Sequence, residues 1–243
     1  MMTRRGALGV LTSTLSAAAL EQEAHAQQAA AAAGIPIGWL GGSPPAFETG
    51  VSWGVPFARG TMRKDQPFSL TGGGKSLPLQ TWPLAWWPDG SVKFLGCSTV
   101  AGPAAGGALK LAPGTPPAAT ALKISEAAGA LTVDTGRMQC RIARQGSAIV
   151  DSISIEGRDV ARAGRLVCSL ADRPERLIRF EDFTSRIRNV TAEQTGPVRA
   201  VIKVEGVHAS AAREWLPFVV RLYFYAGIDH IRMVHTIVFD DDH

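Results

Sequence analysis

Apolar and polar residues alternate along most of this chain in short stretches, and Gly, Pro, Asn and Asp separate these stretches. From Gly34 onward, no segment sustains the i, i+3, i+4, i+7 spacing of an amphipathic helix. A two-residue period places apolar side chains on one face of a β-strand. The sequence therefore predicts an all-β fold built from short strands.

The alternation is clearest in the second half of the chain. "LTVDTGRMQCRIAR" predicts two strands whose apolar positions face a core, namely Leu131, Val133, Met138, Cys140 and Ile142. "SAIVDSISIEGRDV" predicts strand, tight turn, strand, and three further strands follow in "GPVRAVIKVEGVHA", "PFVVRLYFYAG" and "DHIRMVHTIVFDDD". Long strands with one apolar face predict an antiparallel β-sandwich.

The first half of the chain contains most of the tryptophans and two recognisable turn sequences. "GVSWGVPFARGTM" (50–62) predicts strand, turn, strand. Pro88-Asp89-Gly90 has the composition of a tight turn, and a strand, "SVKFLGCSTV", follows it. Trp86 and Trp87 stand at the end of the preceding strand, where alternation directs one side chain inward and the other outward.

"TGGGKS" (71–76) has the appearance of a phosphate-binding loop, but its context does not fit one. The motif G-x-x-x-x-G-K-[ST] requires a glycine at position 69, where this chain has Ser69. Pro78 and Pro83 exclude the helix that must follow such a loop. We therefore predict a hairpin loop, and no nucleotide partner.

The N-terminus has the layout of an export signal. Arg4 and Arg5 precede an apolar stretch (7–20), and Ala24-His25-Ala26 forms a cleavage site, which predicts a twin-arginine signal cut after Ala26. A membrane anchor is the alternative, but the stretch is shorter than the ~20 residues that span a bilayer. We expect a periplasmic or secreted protein with no stable membrane insertion after signal removal.

Composition divides the chain into five parts. Residues 1–26 are the signal peptide, 27–33 an Ala/Gln linker, and 34–112 a first β-domain. A Pro- and Gly-containing linker covers 113–120, and the sandwich covers 121–243.

Charge and cysteine content narrow the range of partners. The net charge of +4 is spread along the chain rather than gathered into a patch, so no nucleic-acid partner is expected. A mild positive balance suits an acidic small ligand or polysaccharide. The three cysteines, Cys97, Cys140 and Cys168, include no C-x-x-C pair, and we expect no metal or other cofactor. They form either one disulfide with one free thiol, or three small buried apolar residues.

Several stretches together resemble a known family. "GVPFARGTM", "LPLQTWPLAWWPDGSVKFL", "GRMQCRI", "GPVRAVIKVEG" and "HTIVFDDD" are similar to the N-terminal region of the exo-rhamnogalacturonan lyase and YetA-like family. The resemblance covers 34–242, and "WPDGSVK" with the upstream "GVPFARG" is its most specific part. It implies a RIFT-type β-barrel, then a β-sandwich, then a large helical toroid in a longer homologous chain.

The resemblance also shapes the expected function. The toroid, where the family's catalytic groups are expected, does not follow "FDDDH" in this chain, so we predict no catalytic residue here and leave enzyme activity undecided. The chain is expected to be the non-catalytic front of a rhamnogalacturonan-lyase-like protein, which supports or lines a polysaccharide site. The alternative is a stand-alone carbohydrate-binding or structural β-module.

Five residues are candidates for binding an acidic pectic polysaccharide or oligosaccharide. Trp86 and Trp87, together with Trp82, offer aromatic faces for a sugar ring, or they close the core of a small barrel or its contact with the next domain. Asp89 and Lys93 are placed to grip a sugar hydroxyl and a carboxylate. Arg59 either clamps a carboxylate or forms a surface salt bridge.

The end of the chain offers one further possibility. His235, Asp240 and Asp242 have ligand chemistry for a divalent cation, although their spacing matches no calcium loop. We favour the interpretation that His235 is a buried histidine on the strand face of the sandwich core, with the aspartates in a solvated turn.

Overall fold

The computed structural model describes residues 34–119, 122–127, 129–172 and 177–239. The predicted signal peptide with Ala26, the linker at 27–33, and Asp240 and Asp242 all lie outside these residues. The described residues contain seventeen β-strands and one 3-10 turn, Pro103–Ala105, and they include no α-helix. The all-β prediction is therefore confirmed, and none of the described helical residues could span a membrane.

The chain consists of two compact units that divide between Pro117 and Ala118. The first unit contains seven strands: β1 Ile35–Gly38, β2 Thr49–Pro56, β3 Phe68–Gly72, β4 Lys75–Leu77, β5 Gln80–Trp86, β6 Val92–Ala101 and β7 Ala108–Pro113. They form a four-stranded sheet, β1-β7-β3-β4, and a three-stranded sheet, β2-β6-β5. Both sheets contribute to one core, which includes Val55, Phe68, Leu70, Leu95 and Leu111.

The glycine run forms the hairpin loop that the sequence predicts. Thr71 pairs with Ser76 and Gly72 with Lys75, and Gly73 and Gly74 make the turn with φ of 57° and 76°. A Cβ at Gly73 would lie 2.1 Å from the carbonyl oxygen of Ala104, so only glycine fits there. The loop therefore joins two strands and does not precede a helix.

One strand prediction in this unit is wrong. The sequence "GVSWGVPFARGTM" contributes β2, but no second strand follows its turn, because residues 57–67 form turns and extended loop. The amide of Thr61 donates to the carbonyl of Ala58, and the amide of Val92 donates to the carbonyl of Met62. These bonds direct the segment around the end of β6 instead of along a neighbouring strand.

The second unit contains ten strands in two five-stranded sheets. The first sheet has the order β12-β11-β10-β9-β8 and the second β13-β14-β15-β16-β17, and every paired neighbour is antiparallel. Their bounds are β8 Lys123–Ala127, β9 Ala130–Asp134, β10 Met138–Ala143, β11 Val150–Ile155, β12 Arg158–Gly164, β13 Val167–Asp172, β14 Arg179–Gln194, β15 Arg199–Ala209, β16 Glu214–Tyr225 and β17 Arg232–Ile237.

The predicted alternation identifies the core of this unit correctly. Leu131, Val133, Met138, Cys140 and Ile142 are all buried, and they pack with residues of the opposite sheet, including Val190, Ile202, Val204, Val220 and Phe224. The core-facing positions of β15 and β16 are also almost fully buried. Burial of these faces, at about 25 cal/mol per Å² of apolar surface, is the main contribution to the stability of the unit.

The edge strand β17 departs from this pattern. His235 pairs with Val220, and Ile237 pairs with Phe218, so both lie on the core side of the sheet. Yet His235 is exposed, as are Met233 (51%) and Ile237 (43%). The prediction of a buried His235 is therefore wrong, because the end of the opposite sheet does not cover this strand. Among the described residues the buried histidine is His208, whose Nδ1 lies 2.7 Å from the carbonyl oxygen of Leu216.

Candidate functional site

The turn between β5 and β6 forms the centre of the candidate site. The amide of Trp87 donates to the carbonyl of Ser91 at 2.8 Å, and the amide of Gly90 donates to the carbonyl of Trp87 at 2.9 Å. Gly90 has a φ of 82°, which glycine adopts without strain. The Pro-Asp-Gly turn is therefore confirmed, and it holds Trp86, Trp87 and Asp89 at one end of the barrel unit.

Asp89 stabilises the turn through both carboxylate oxygens. Its Oδ1 accepts hydrogen bonds from the amide (3.0 Å) and the hydroxyl (2.6 Å) of Ser91, and its Oδ2 accepts one from Arg59 Nε at 3.1 Å. The bonds from Ser91, and then the neighbouring Arg59, lower the pKa of Asp89 below its ordinary value. Asp89 is therefore an ionised residue that orients Arg59.

Arg59 comes from the loop after β2 and joins the turn through that ion pair. The amide of the next residue, Gly60, donates to the Ser91 hydroxyl at 2.9 Å, which ties the loop to the turn. The Arg59 side chain is 64% exposed, and its bond to Asp89 uses only Nε. Within the described residues no group forms a hydrogen bond with the terminal nitrogens of Arg59, so these nitrogens can bind a ligand.

Trp87 and Lys93 form a second contact within the site. The indole Nε1 of Trp87 donates to the carbonyl of Phe57 at 3.0 Å, and the amide of Phe57 donates to the carbonyl of Lys93 at 2.9 Å. Lys93 Nζ lies 4.6 Å from the centroid of the Trp87 ring, a cation–π distance. No carboxylate of the described part of the chain forms an ion pair with Lys93.

The two adjacent tryptophans differ in exposure. Trp86 is 44% exposed, whereas Trp87 is half-buried and anchored by its indole nitrogen. The structure thus brings Arg59, Trp86, Trp87, Asp89 and Lys93 to one end of the barrel unit. Their roles differ, since Asp89 and Trp87 hold the site together while the other three are available to a ligand.

Sequence reasoning missed two features of this region. Ser91 joins the turn, Asp89 and the Arg59 loop, and the signal was its position two residues after an aspartate, where Asx turns form. The second feature is an exposed apolar surface next to the turn. Leu84 and Phe94 both lie beside Gly54, and the indole of Trp82 lies so close to Gly96 that a Cβ there would be 2.4 Å away.

The described residues contain no group of three His, Cys, Asp or Glu side chains that could hold a metal ion. The three cysteines are free thiols: Cys97 and Cys140 are buried, and burial raises the pKa of each to about 12. Cys168 is half-buried, and burial together with Asp182 raises its pKa as well.

Comparisons with known proteins match both units. Residues 33–114 match the model of the PcRGLX-like N-terminal RIFT barrel domain, and residues 122–243 match that of the PcRGLX-like protein central β-sandwich domain. These matches confirm the predicted RIFT barrel and sandwich. The chain is also similar to the uncharacterized protein YetA of Bacillus subtilis strain 168, with 37% identity over 212 residues. That alignment covers 84% of this chain and 25% of YetA, so the chain spans about a quarter of the relative's length.

Proposed function

This chain belongs to the family of PcRGLX-like proteins, and from that premise we propose that it is the non-catalytic front region of a rhamnogalacturonan-lyase-like carbohydrate-active protein. In this proposal the end of the barrel at the β5–β6 turn binds an acidic pectic saccharide. The export signal expected at residues 1–26 belongs to the same proposal, since such a polysaccharide is met outside the cytoplasm.

The observation that carries the proposal is that the β5–β6 turn gathers two cations and two aromatic rings: Arg59 pairs with Asp89, Lys93 lies over Trp87, and Trp86 is 44% exposed. Arg59 and Lys93 contribute two positive charges, and Asp89, the carboxylate that pairs with Arg59, already accepts three hydrogen bonds. The site therefore has one more cation than anion. A guanidinium with free terminal nitrogens binds a carboxylate well, and the ring of Trp86 suits the apolar face of a pyranose.

The remaining residues position these groups. Trp87 holds Lys93 over its ring, and its own nitrogen is fixed by the Phe57 carbonyl. Ser91 and Asp89 hold Arg59, whose side chain would otherwise rotate freely. Because binding costs less when side chains are already ordered, this arrangement favours a ligand with a carboxylate close to a sugar ring.

Calorimetry with an oligogalacturonate tests the proposal directly. We expect binding that weakens about tenfold in Trp86→Ala and in Arg59→Gln, because one good contact is worth roughly 1.4 kcal/mol. Phe47→Ala is the matched control, since it also removes an exposed aromatic ring (65% exposed) from the barrel unit. The affinity should also fall as salt is raised. No heat with any acidic oligosaccharide would contradict the proposed site.

The non-catalytic part of the proposal has its own test. A lyase acting on pectic polymers releases unsaturated uronates that absorb in the near ultraviolet. We expect the purified chain to release none, and a steady rise in that absorbance, lost on heat denaturation, would overturn the assignment.

A supporting role is favoured by a second observation. Four apolar side chains at the end of the sandwich unit are exposed: Met233 and Ile237 on the core-side face of β17, and Val238 and Phe239 just after the strand. Contiguous exposed apolar side chains mark surfaces that another domain or protein covers. Because YetA is about four times as long as the matched region, we propose that this face packs against another part of such a longer chain.

That packing is testable with the relative's remaining sequence. We expect the chain to form a complex with the part of YetA outside the matched quarter, measured by sedimentation. Ile237→Lys should abolish the complex, whereas Val160→Lys, a change at another exposed apolar residue (56%) on β12, should leave it intact. Equal complex formation by both variants would remove this role.

A further inference from the structure

A cleft of about 830 Å³ opens in the sandwich unit beside the β13–β14 hairpin. It lies at the end of the hairpin where Val167 pairs with Thr184 and Cys168 pairs with Phe183. Segments 146–147, 165–169, 182–186 and 209–211 supply its lining. Its volume falls in the range of small-molecule sites, and no residue of the β5–β6 turn contributes to it.

The floor and one wall of the cleft are rigid. Phe183 is buried and packs against Trp215, with ring centroids 5.3 Å apart. The hydroxyl of the buried Ser185 donates a hydrogen bond to the carbonyl of Ser147 at 2.6 Å. It also accepts a hydrogen bond from the amide of Leu166 at 3.0 Å. These bonds join three separate segments, so the cleft is formed by the fold itself.

Several hydroxyl groups around the cleft are already used. Ser169 donates to Asp182 Oδ1, and Thr184 donates to the carbonyl of Leu166 at 3.3 Å. Ser210 donates to Glu181 Oε1 at 2.7 Å. The polar side-chain groups that remain for a ligand are the Ser147 hydroxyl and the charged groups.

Two guanidinium groups and one carboxylate oxygen remain available. Arg165 is exposed and forms no ion pair within the described ranges. Arg186 uses Nη1 to bind Glu214 Oε1 at 2.7 Å, which leaves its other nitrogens without a partner there. Asp182 uses Oδ1 alone. Guanidinium groups bind carboxylates through two parallel hydrogen bonds, and a free carboxylate oxygen accepts from a sugar hydroxyl.

We propose that this cleft binds a carboxylate-bearing saccharide, with Arg165 and Arg186 at the carboxylate and Asp182 Oδ2 at a ring hydroxyl. Val167, which is 70% exposed, and Ala211 supply apolar surface for the ring. The site lies entirely within the sandwich unit, so it does not depend on the proposed function of the barrel turn.

Cys168 provides a reporter for occupancy, because it lines the cleft and is the one cysteine that is not buried. The reagent is an uncharged maleimide, which does not compete for the cationic groups. With an oligogalacturonate at ten times its dissociation constant, we expect the labelling rate to fall about tenfold, since only the unoccupied cleft reacts. Cys168→Ser should remove the labelling altogether, because Cys97 and Cys140 are buried.

One variant and its control test whether Arg165 binds the ligand's carboxylate. Arg165→Gln should raise the oligogalacturonate concentration that halves the labelling rate about ten- to hundredfold, the effect of losing a charge-assisted contact. Arg158→Gln is the control, because it removes the same charge from an exposed arginine of β12 that pairs with Glu156 at 3.8 Å. A neutral oligogalactoside should not protect.

The possible results separate this inference from the barrel site. Protection that survives Trp86→Ala supports the cleft, even if calorimetry has removed the turn as a binding site. The proposal is overturned if the oligogalacturonate leaves the Cys168 labelling rate unchanged, if Arg165→Gln is protected as fully as the parent chain, or if the neutral sugar protects equally well.

Discussion

The β5–β6 turn of the barrel and the cleft of the sandwich are both candidate binding surfaces, but they are assembled differently. The turn takes its centre from one short run, Trp86 to Lys93, and adds Arg59 from the loop after β2, the strand paired with β6. The cleft draws on four segments between 146 and 211. In the turn the carboxylate of Asp89 is engaged through both oxygens and Arg59 offers a ligand only its terminal nitrogens, whereas the cleft keeps a carboxylate oxygen as well as two guanidinium groups.

The difference shows how far each site can be recognised from local sequence. A Pro-Asp-Gly turn can be predicted from sequence because each of its three adjacent residues has a defined conformational role. The cleft forms where hydrogen bonds of Ser185 join segments that are distant in the chain. None of those segments has a distinctive composition.

The largest expected effect tests whether the two units have independent cores. Phe68→Ala in the barrel and Phe224→Ala in the sandwich each remove a fully buried ring, at a cost of about 3–5 kcal/mol in the free energy of unfolding. Five of the six tryptophans lie in the barrel unit, so fluorescence mainly follows the barrel while circular dichroism follows both units.

We expect Phe68→Ala to shift the fluorescence transition in urea, and Phe224→Ala to shift the dichroism transition while leaving most of the fluorescence transition in place. The exposed Met233→Ala should shift neither by more than a few tenths of a kcal/mol. Equal shifts of both signals in both core variants would mean that the units unfold as one.

An intermediate effect is expected in the glycine hairpin of the barrel. Gly73 and Gly74 both have positive φ, so alanine at either position costs about 1 kcal/mol in backbone strain. At Gly73 the new Cβ would also meet the Ala104 carbonyl at 2.1 Å, whereas Gly74 faces open space. Gly73→Ala should therefore destabilise the barrel by about 1–3 kcal/mol more than Gly74→Ala in urea unfolding. Identical midpoints would show that the 103–105 turn moves freely.

The smallest effect concerns the exposed edge of the sandwich. Partial burial and the neighbouring His208 lower the pKa of His235 below its ordinary 6.5. Because the unfolded chain binds this proton more readily, the contribution to stability is complete above the unfolded pKa. It is lost as the pH falls through the folded pKa.

His235→Gln should therefore flatten the decline in sandwich stability below pH 6.5, measured by urea unfolding at several pH values. His230→Gln, a change at an exposed histidine five residues earlier in the chain, serves as the control. If stability depends on pH with the same slope in the His235 variant and the parent chain, then the contact of His235 with the Phe218 and His208 rings does not affect its protonation.

Much of the fold follows from the sequence. The strands from Leu131 to Ile142 and their buried positions follow from alternation, and the Gly73-Gly74 hairpin follows from residues that tolerate positive φ. The segment after Pro56 was mispredicted, because short alternation resembles a strand even where the chain turns at Ala58 to Thr61. A local pattern does not reveal whether a neighbouring strand is available to pair.

His235 illustrates the same limit for burial. Its alternation with Met233 and Ile237 correctly places it on the core side of β17, yet that side is exposed. Coverage depends on the width and placement of the opposite sheet, and no periodicity within one strand records this.

The sequence by itself determined the all-β class, the alternating faces and the Pro-Asp-Gly turn, because each depends on the conformational preferences of residues near one another in the chain. The tertiary structure alone decided that Arg59 reaches Asp89, that the edge of β17 is uncovered and that a cleft opens beside Cys168. Each of these results depends on strand register and on how one sheet covers another, which are properties of the whole chain.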